Sequence, residues 1–595
     1  MLTERGWRCT QRSARLDQEA PVPAEGRAKT LEIHPFHLVG EDAVPPVALT
    51  FAPSCRARLL RWALALVLLA ATLGAGGRPL RAQGPMDAAP LSQVPQEAER
   101  HPKMDSAVAR LARLGEPTQQ ALAQERAAAA GLRLEDGRLQ VRLSVRTADA
   151  ATAAVLALGG VVTKRSDDGA LMQAWLPLAA LEPLAAYPEV TMIRRPALAH
   201  AADQAPRAAG LLSDGVAASG ADVWHAAGHR GQGVKIGVVD IGFLGYRGLL
   251  GSELPLSVSA RNFVDGQTDA QVDGASPHGT ACAEIIHDMA PQADLYLAKI
   301  ATDLDLYEAV AWLRAQGVQI VSTSLNWFTL FPGDGTGSLA ALAAELEAAG
   351  ILWVASAGNM RQAHWAGPWL DANGNRLLDF AETVDRDILY WNGDYLIPQG
   401  KCFDIYLRWS DWTVVNQDYD LYLLRYAVTG NWEIIASSTD PQTGAPGQAP
   451  TEHLWGCTFG EPTYYAFAIQ RIYGSAPVHF QVFVLGASHL FRSVTARSLA
   501  LPADAAAVLA VGAVDVAAPH GQRPYSSEGP TNGPGGVASG GQPKPDLAAY
   551  DGVNTVSWPG FLGTSASAPH VAGAAAVLRS AYCIWATYKR ASGCR

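Results

Sequence analysis

The sequence predicts an α/β protein. A parallel sheet covered by helices on both faces is preceded by a small unit of mixed strands and helices and interrupted by an antiparallel β-sandwich. Three observations carry this. Beyond Val234, short apolar runs alternate with helical stretches, the pattern of strands buried on both faces. Residues 138–200 read as strand, helix, strand, strand, helix, strand. Across residues 361–497 the alternation with helices stops, and short strands rich in Trp and Tyr take over.

Composition sets the frame. A chain of 595 residues is several times a typical domain, and 49% hydrophobic with 17% charged residues describes a chain that buries cores. The net charge of −10, with no basic stripe among aromatics, argues against nucleic acid as a partner. The seven cysteines are few for a disulfide scaffold. Cys402 and Cys457 share one unit, where a disulfide is expected. Cys9 and Cys55 lie near the N-terminus, Cys282 in the α/β region, and Cys583 and Cys594 in the tail.

Taken in order, residues 1–55 show no clear periodicity, and the true start is expected downstream of Met1. Residues 56–82 read as a signal peptide, with a basic start, the apolar run Trp62–Ala75 and small residues after it. A spanning helix needs about 20 apolar residues. Secretion is therefore expected, with anchoring in a membrane through the same segment as the alternative. Residues 83–137 form a linker and a helical stretch, Ser106 to Gly131.

Residues 138–200 follow. Leu139, Val141, Leu143 and Val145 alternate with polar residues as a strand, and Asp149–Leu158 is helical until Gly159-Gly160. Strands at Val161–Lys164, Leu171–Leu176 and Thr191–Arg194 and a helix at Ala179–Ala186 complete the order of a ferredoxin-like unit. Its place between an export signal and a larger domain suggests a propeptide.

The parallel sheet draws its first strands from residues 205–360: Val234–Val239, Leu295–Ile300, Val318–Val321 and Leu352–Ala355, with helices at Leu306–Gln316 and Leu339–Ala349. The last part, residues 498–595, adds Val508–Gly512 and a helix from Ser565 through Leu578, and ends in an atypical tail that suggests truncation. Between them lies the sandwich, with strands at Phe403–Trp409, Tyr419–Tyr426, Trp432–Ala436, Tyr464–Gln470 and Val478–Val484.

Functional residues of such a sheet belong at the C-terminal strand ends. Asp240 ends the first strand, His278 opens a helix, Asn359 follows another strand, and Ser565 stands in a small-residue turn that starts a helix. Together they supply a carboxylate, a base, an amide donor and a nucleophile. Each alone is an ordinary cap or turn former. Four in this arrangement are not explained that way.

The order and the surrounding words resemble the subtilisin-like serine peptidases, the subtilases. They include Gly-Gln-Gly-Val-Lys-Ile-Gly-Val-Val-Asp240, His278-Gly-Thr, Ala357-Gly-Asn359, Tyr525-Ser-Ser-Glu-Gly-Pro530, Lys544-Pro-Asp546 and Gly563 to Gly573. The resemblance covers residues 222–360 and 498–580. It implies a serine endopeptidase in which Ser565 attacks the peptide carbonyl, His278 carries the proton, and Asp240 orients the imidazole. Asn359 and the Ser565 amide would bind the oxyanion. Ser324-Leu325-Asn326 would pair with substrate and wall the first specificity pocket, although the family usually has glycine at the position of Asn326. The implied partners are protein or peptide substrates and the chain's own propeptide, which acts as chaperone and inhibitor, on a monomeric enzyme. The membrane enters only through the export signal.

Asp418-Tyr-Asp420-Leu-Tyr-Leu423 and Tyr464-Tyr465 resemble the core strands of the pre-peptidase C-terminal domain, a small β-sandwich of secreted peptidases. The segment from Asp371 through Asn373, Asn375, Leu377, Asp379 and Glu382 has oxygen ligands at loop positions 1, 3, 5, 9 and 12, with a carbonyl at 7. That is the spacing of an EF-hand-type calcium loop, although Arg376 stands where glycine is preferred. An Asx-rich turn without metal accounts for the same residues. Calcium here would be structural, since the chemistry requires no cofactor.

The rival reading is an inert secreted binding protein on the same scaffold. A lipase or esterase is set aside, because its triad runs Ser, Asp, His.

Overall fold

The computed structural model describes residues 100–201 and 213–591, with side chains as far as residue 582. The expected N-terminal extension, signal segment and start of the linker lie outside the described residues, as do Cys594 and the side chain of Cys583.

The first unit contains α1 (Ser106–Ala112), α2 (Gln120–Ala129), β1 (Leu134–Glu135), β2 (Arg138–Val145), α3 (Ala148–Ala157), β3 (Val161–Arg165), β4 (Leu171–Pro177), α4 (Leu181–Ala185) and β5 (Val190–Arg194). Its antiparallel sheet runs β3-β4-β2, with β1 and β5 sharing the other edge of β2, as in a ferredoxin-like fold. The helical stretch before residue 138 packs into this unit. Val108, Leu111, Ala123 and Ala127 share a core with Leu139, Val141, Leu143 and Leu176. The stretch is two helices, because Pro117 holds Glu116 extended between them.

A short strand, β6 (His200–Ala201), closes this part. The chain then forms α5 (Asp214–Ser219), α6 (Ala221–Ala226), β7 (Lys235–Asp240), β8 (Ser259–Asn262), α7 (His278–Met289), β9 (Asp294–Lys299), α8 (Asp303–Ala315), β10 (Ile320–Thr323), β11 (Leu325–Asn326), α9 (Ser338–Ala348) and β12 (Leu352–Ser356).

The sandwich follows, with β13 (His364–Pro368), β14 (Asp387–Tyr390), β15 (Cys402–Trp409), β16 (Asp418–Tyr426), β17 (Trp432–Ser438), β18 (Thr451–Cys457), β19 (Tyr465–Tyr473), β20 (His479–Leu485) and β21 (His489–Leu490). One sheet runs β13-β20-β15-β18 and the other β17-β16-β19-β14-β21. Alternate side chains interdigitate between them, with Phe403, Ile405, Leu407 and Trp409 facing Tyr419, Leu421 and Leu423. The Cys402–Cys457 disulfide joins paired residues of β15 and β18.

Finally β22 (Val508–Asp515), β23 (Leu547–Asp551) and α10 (Thr564–Ala591) complete the larger unit. Its seven parallel strands run β23-β22-β12-β10-β7-β9-β8. Cores lie on both faces. One gathers α7 and α10, through Ile285, Ile286, Ala568 and Ala572. The other gathers α8 and α9, through Leu306, Leu313, Leu342 and Leu346. The strand order reverses between β7 and β10, which opens a crevice at their C-terminal ends. Of the two edge strands, β8 (Ser-Ala-Arg-Asn) lacks an apolar run because much of it faces solvent, and β23 has only a short alanine-rich one.

Helix α10 crosses the core side of α7 and is tied back to the start of the unit. His570 Nδ1 meets Ala566 O at 2.8 Å, and Nε2 meets Ser213 Oγ at 2.9 Å. A Cβ at Gly215 would fall 1.9 Å from that Nε2, so glycine is required there. The neutral imidazole protonated at Nδ1 satisfies both partners. Burial, opposed by the Ala566 carbonyl, lowers the His570 pKa to about 4. The folded state therefore needs a neutral ring, and its contribution is complete above the unfolded pKa near 6.5. It is lost as pH falls toward 4, by roughly 3 kcal/mol. His570→Gln is expected to flatten this component. In urea titrations at pH 7 and pH 4.5 the wild type should lose more stability on acidification than the variant.

Candidate active site

Asp240 is the last residue of β7 and His278 the first of α7, and both side chains are fully buried. His278 Nδ1 lies 2.8 Å from Asp240 Oδ2 and 3.0 Å from Oδ1, and Oδ1 also accepts from the Ile241 amide at 2.8 Å. This holds the imidazole with Nδ1 toward the carboxylate and Nε2 away from it. The approach depends on Gly279. A Cβ there would stand 2.6 Å from Asp240 Cβ and 2.6 Å from Gly242 O. Phe561 and Trp558 stand edge-on to the His278 ring at centroid distances of 5.3 and 6.3 Å.

Ser565 is the second residue of α10, and its amide belongs to the first turn of a long helix. Amides there carry the positive end of the helix dipole. Its Oγ donates to Ser324 O at 3.3 Å, and its own carbonyl accepts from Ser324 Oγ at 3.0 Å. The Cys282 thiol donates to the same carbonyl at 3.6 Å, and its sulfur lies within 4.8 Å of ligand atoms of Asp240 and His278. Cys282 is a buried thiol that packs the aspartate, histidine and serine segments together.

Asn359 follows β12. Its Oδ1 accepts from the Thr564 amide and hydroxyl, each at 2.9 Å. The residue before Ser565 thus orients the amide, with its NH2 end turned away from Thr564. Leu325 and Asn326 form β11 beyond β10, and Asn326 Nδ2 donates to Ser356 O at 3.3 Å. All seven residues expected at the chemistry therefore gather at the crevice: Asp240, His278, Asn359, Ser565, Ser324, Leu325 and Asn326. Beside them lies a cavity of about 500 Å³ lined by Asn326, Phe328, Asn359 and Met360 and, from the sandwich, Trp391 and Val484.

Several supporting residues had no role in the sequence reading. Glu284, on α7, accepts from the Val556 and Ser557 amides at 2.6 and 3.1 Å and pins the loop that carries Trp558 and Phe561. Burial holds its carboxyl above the usual range despite those bonds. Asp551 accepts from Gly563 N at 2.8 Å and is held by Arg523 and Tyr525, which fixes the turn before Ser565. Ser527, in the quoted Tyr525–Pro530 word, accepts from Met360 N at 2.9 Å beside Asn359. Lys544 and Asp546 brace β22, through Val508 O and Ala510 N. Ser527 lies in a quoted word, but the segment that it holds is not legible from that word.

The expected loop ligands Asp371, Asn373, Asn375, Leu377 and Asp379 form a turn between β13 and β14 and do not line this cavity, and Glu382 is exposed.

Comparison with known proteins places these features in one family. The family model of the subtilase family matches residues 231–381 and 435–590. The interruption falls inside the sandwich. A solved structure, that of the Clostridium Perfringens CspB protease, is similar at 16% identity and a TM-score of 0.41, over 61% of this chain and 87% of that one. No curated protein matches the chain.

Gly279→Ala is expected to force α7 away from Asp240. Overpacking of this kind costs about 1–3 kcal/mol, so the urea midpoint should fall by a corresponding amount.

Proposed function

The chain belongs to the subtilase family, and on that premise we propose that it is a secreted serine endopeptidase made as a proenzyme. The observation that carries the reading is the buried Asp240–His278 pair set against the Ser565 turn. Ser565 Oγ attacks the peptide carbonyl carbon while His278 Nε2 takes its proton. Asp240 stabilises the imidazolium, and the Ser565 amide and Asn359 Nδ2 bind the oxyanion. The C–N bond then breaks, and His278 returns the proton to the leaving amine. Water, activated by the same imidazole, hydrolyses the acyl ester. These steps use side chains and backbone alone.

The proenzyme reading rests on the first unit. Ala201 pairs with Leu325 and His200 with Asn326, antiparallel, as a substrate strand would. His200 and Ala201 also line the cavity beside Asn359. With Asp240, His278 and Ser565 all at 0% exposure, this arrangement is closed to substrate. Export is assigned to residues 56–82, and among the described residues no helix is long and apolar enough to cross a membrane. The inert-scaffold reading makes no use of the oriented imidazole.

The cavity walls give a substrate preference. Phe328, Met360, Trp391 and Val484 favour a large apolar side chain before the cut, and Asn326 commits its donor to Ser356 O and leaves the pocket without a charge.

A fluorophosphonate probe, applied after the first unit has been removed by limited proteolysis, should label Ser565 in the wild type and fail in Ser565→Ala. An unlabelled wild type would make the chain an inert scaffold. Asn359→Ala should lower kcat by about 100–1000-fold, the scale set by the equivalent amide of subtilisin. Trp391→Ala should reduce kcat/KM for peptides with a large apolar residue before the cut by about tenfold relative to alanine peptides, in a paired-substrate assay.

A further inference from the structure

The loop between β13 and β14 contains two buried carboxylate oxygens with no hydrogen-bond partner, Asp371 Oδ1 and Asp379 Oδ1. Asp379 is 1% exposed, and the Asp371 side chain 7%. Each carboxylate commits its other oxygen to the loop's own backbone. Asp371 Oδ2 accepts from Arg376 N at 3.2 Å, and Asp379 Oδ2 from Ala372 N at 2.6 Å. The nearest cation, Arg471, stands 3.8 Å from Asp371 Oδ2, the oxygen already in use. A carboxylate buried in this way is costly unless a positive charge meets its remaining oxygen.

We propose that residues 371–379 form a calcium site that fastens the entry of the sandwich to its central strand β19. The neighbouring donors fit. Asn373 Oδ1 and Asn375 Oδ1 accept from the amides of Asn375 and Leu377 at 3.0 and 2.8 Å, and each oxygen keeps a second lone pair. Pairing with β19 uses Arg376 O and Leu378 N. That leaves the Leu377 carbonyl outside the ladder, on the side of its own amide and of Asn375. Arg376 has φ +66°, the conformation that glycine supplies at this position of an EF-hand-type loop. All candidate ligands are oxygens, two of them charged, in an irregular loop. This suits a large hard cation of flexible coordination better than magnesium.

The ligand set differs from the sequence expectation at its end. Glu382 is exposed, and Asp385, buried to 8% exposure, is the carboxylate that Asn375 Nδ2 reaches, at 3.3 Å. The five ligands are Asp371, Asn373, Asn375, the Leu377 carbonyl and Asp379, with water completing the shell. The inference stands apart from the proposed catalysis.

Trp369, two residues before Asp371, provides the readout. Full-length Ser565→Ala protein, used to prevent self-digestion and stripped with chelator, is titrated with terbium as a calcium surrogate. Excitation of Trp369 should give sensitised terbium emission that calcium displaces at a concentration on the order of 10⁻⁴ M or below, with magnesium far weaker. Asp371→Asn and Asp379→Asn should each weaken binding by about tenfold or more. Trp369→Phe should abolish the emission while calcium still raises the thermal midpoint. Absence of sensitised emission from the Trp369-containing protein, or emission that persists in Trp369→Phe, overturns the site. So does a calcium-induced rise in thermal midpoint that is unchanged in the Asp371→Asn/Asp379→Asn double variant. Should that variant fail to fold, the Trp369 comparison decides.

Discussion

Asp240 and His278 sit 2.8 Å apart without solvent exposure, and much of the larger unit is arranged to make that tolerable. A buried carboxylate is tolerated only when good hydrogen bonds meet it, and removing the imidazole would leave Asp240 stranded. The pair therefore needs the C-terminal end of a central strand, the start of a helix and a glycine that lets the two backbones approach. The switch in strand order between β7 and β10 opens the crevice in which Ser324 can meet Ser565 from the far side. Helix α10 then brings its first turn to the same place, because its apolar face packs on α7 and beneath the sheet.

The same currency of buried charge joins the other units to this one. Arg100 bridges Asp418 and Asp420 of β16, each at 2.5 Å. Lys164 of β3 sits 2.8 Å from Glu308 and 3.4 Å from both Asp305 and Asp265, in the larger unit. Burial pulls its ammonium down, but those carboxylates, Asp305 foremost, outweigh it and keep its pKa above the usual value. Arg408 of the sandwich donates to Phe328 O and Phe331 O beside the crevice. Such contacts add little net stability, but losing one partner would leave a buried charge uncompensated. The sandwich thus becomes part of the cavity wall, and the first unit holds its end along β11.

Much of this was legible in the chain. Strands buried on both faces are continuous apolar runs, so β7, β9, β10, β12 and β22 could be read directly, as could the strand-helix order of the first unit. The edge strand β8 could not, because an exposed face removes the run, and the short alanine-rich β23 carries no β-branched signal. Nor could the division of α1 from α2 into a packed pair, since alanine-rich helices carry only a weak pattern until a sheet covers them. In the sandwich, β13, β14, β18 and β21 went unread, because they are short or broken by Gly, Pro and polar residues.

The sequence by itself determined the fold class, the order Asp, His, Asn, Ser and the residue types at each strand end or helix start, because these are local properties of spacing and turn chemistry. Tertiary structure alone decided which groups meet. The packing of Phe561 and Trp558 on His278, the hold of Glu284 on the loop that carries them, the hold of Asp551 on the serine turn, and Asp385 in place of Glu382 beside Asn375 all depend on distant segments folding against one another. No local pattern encodes such contacts, because they exist only once the sheet has closed and burial has forced each polar group to find its partner.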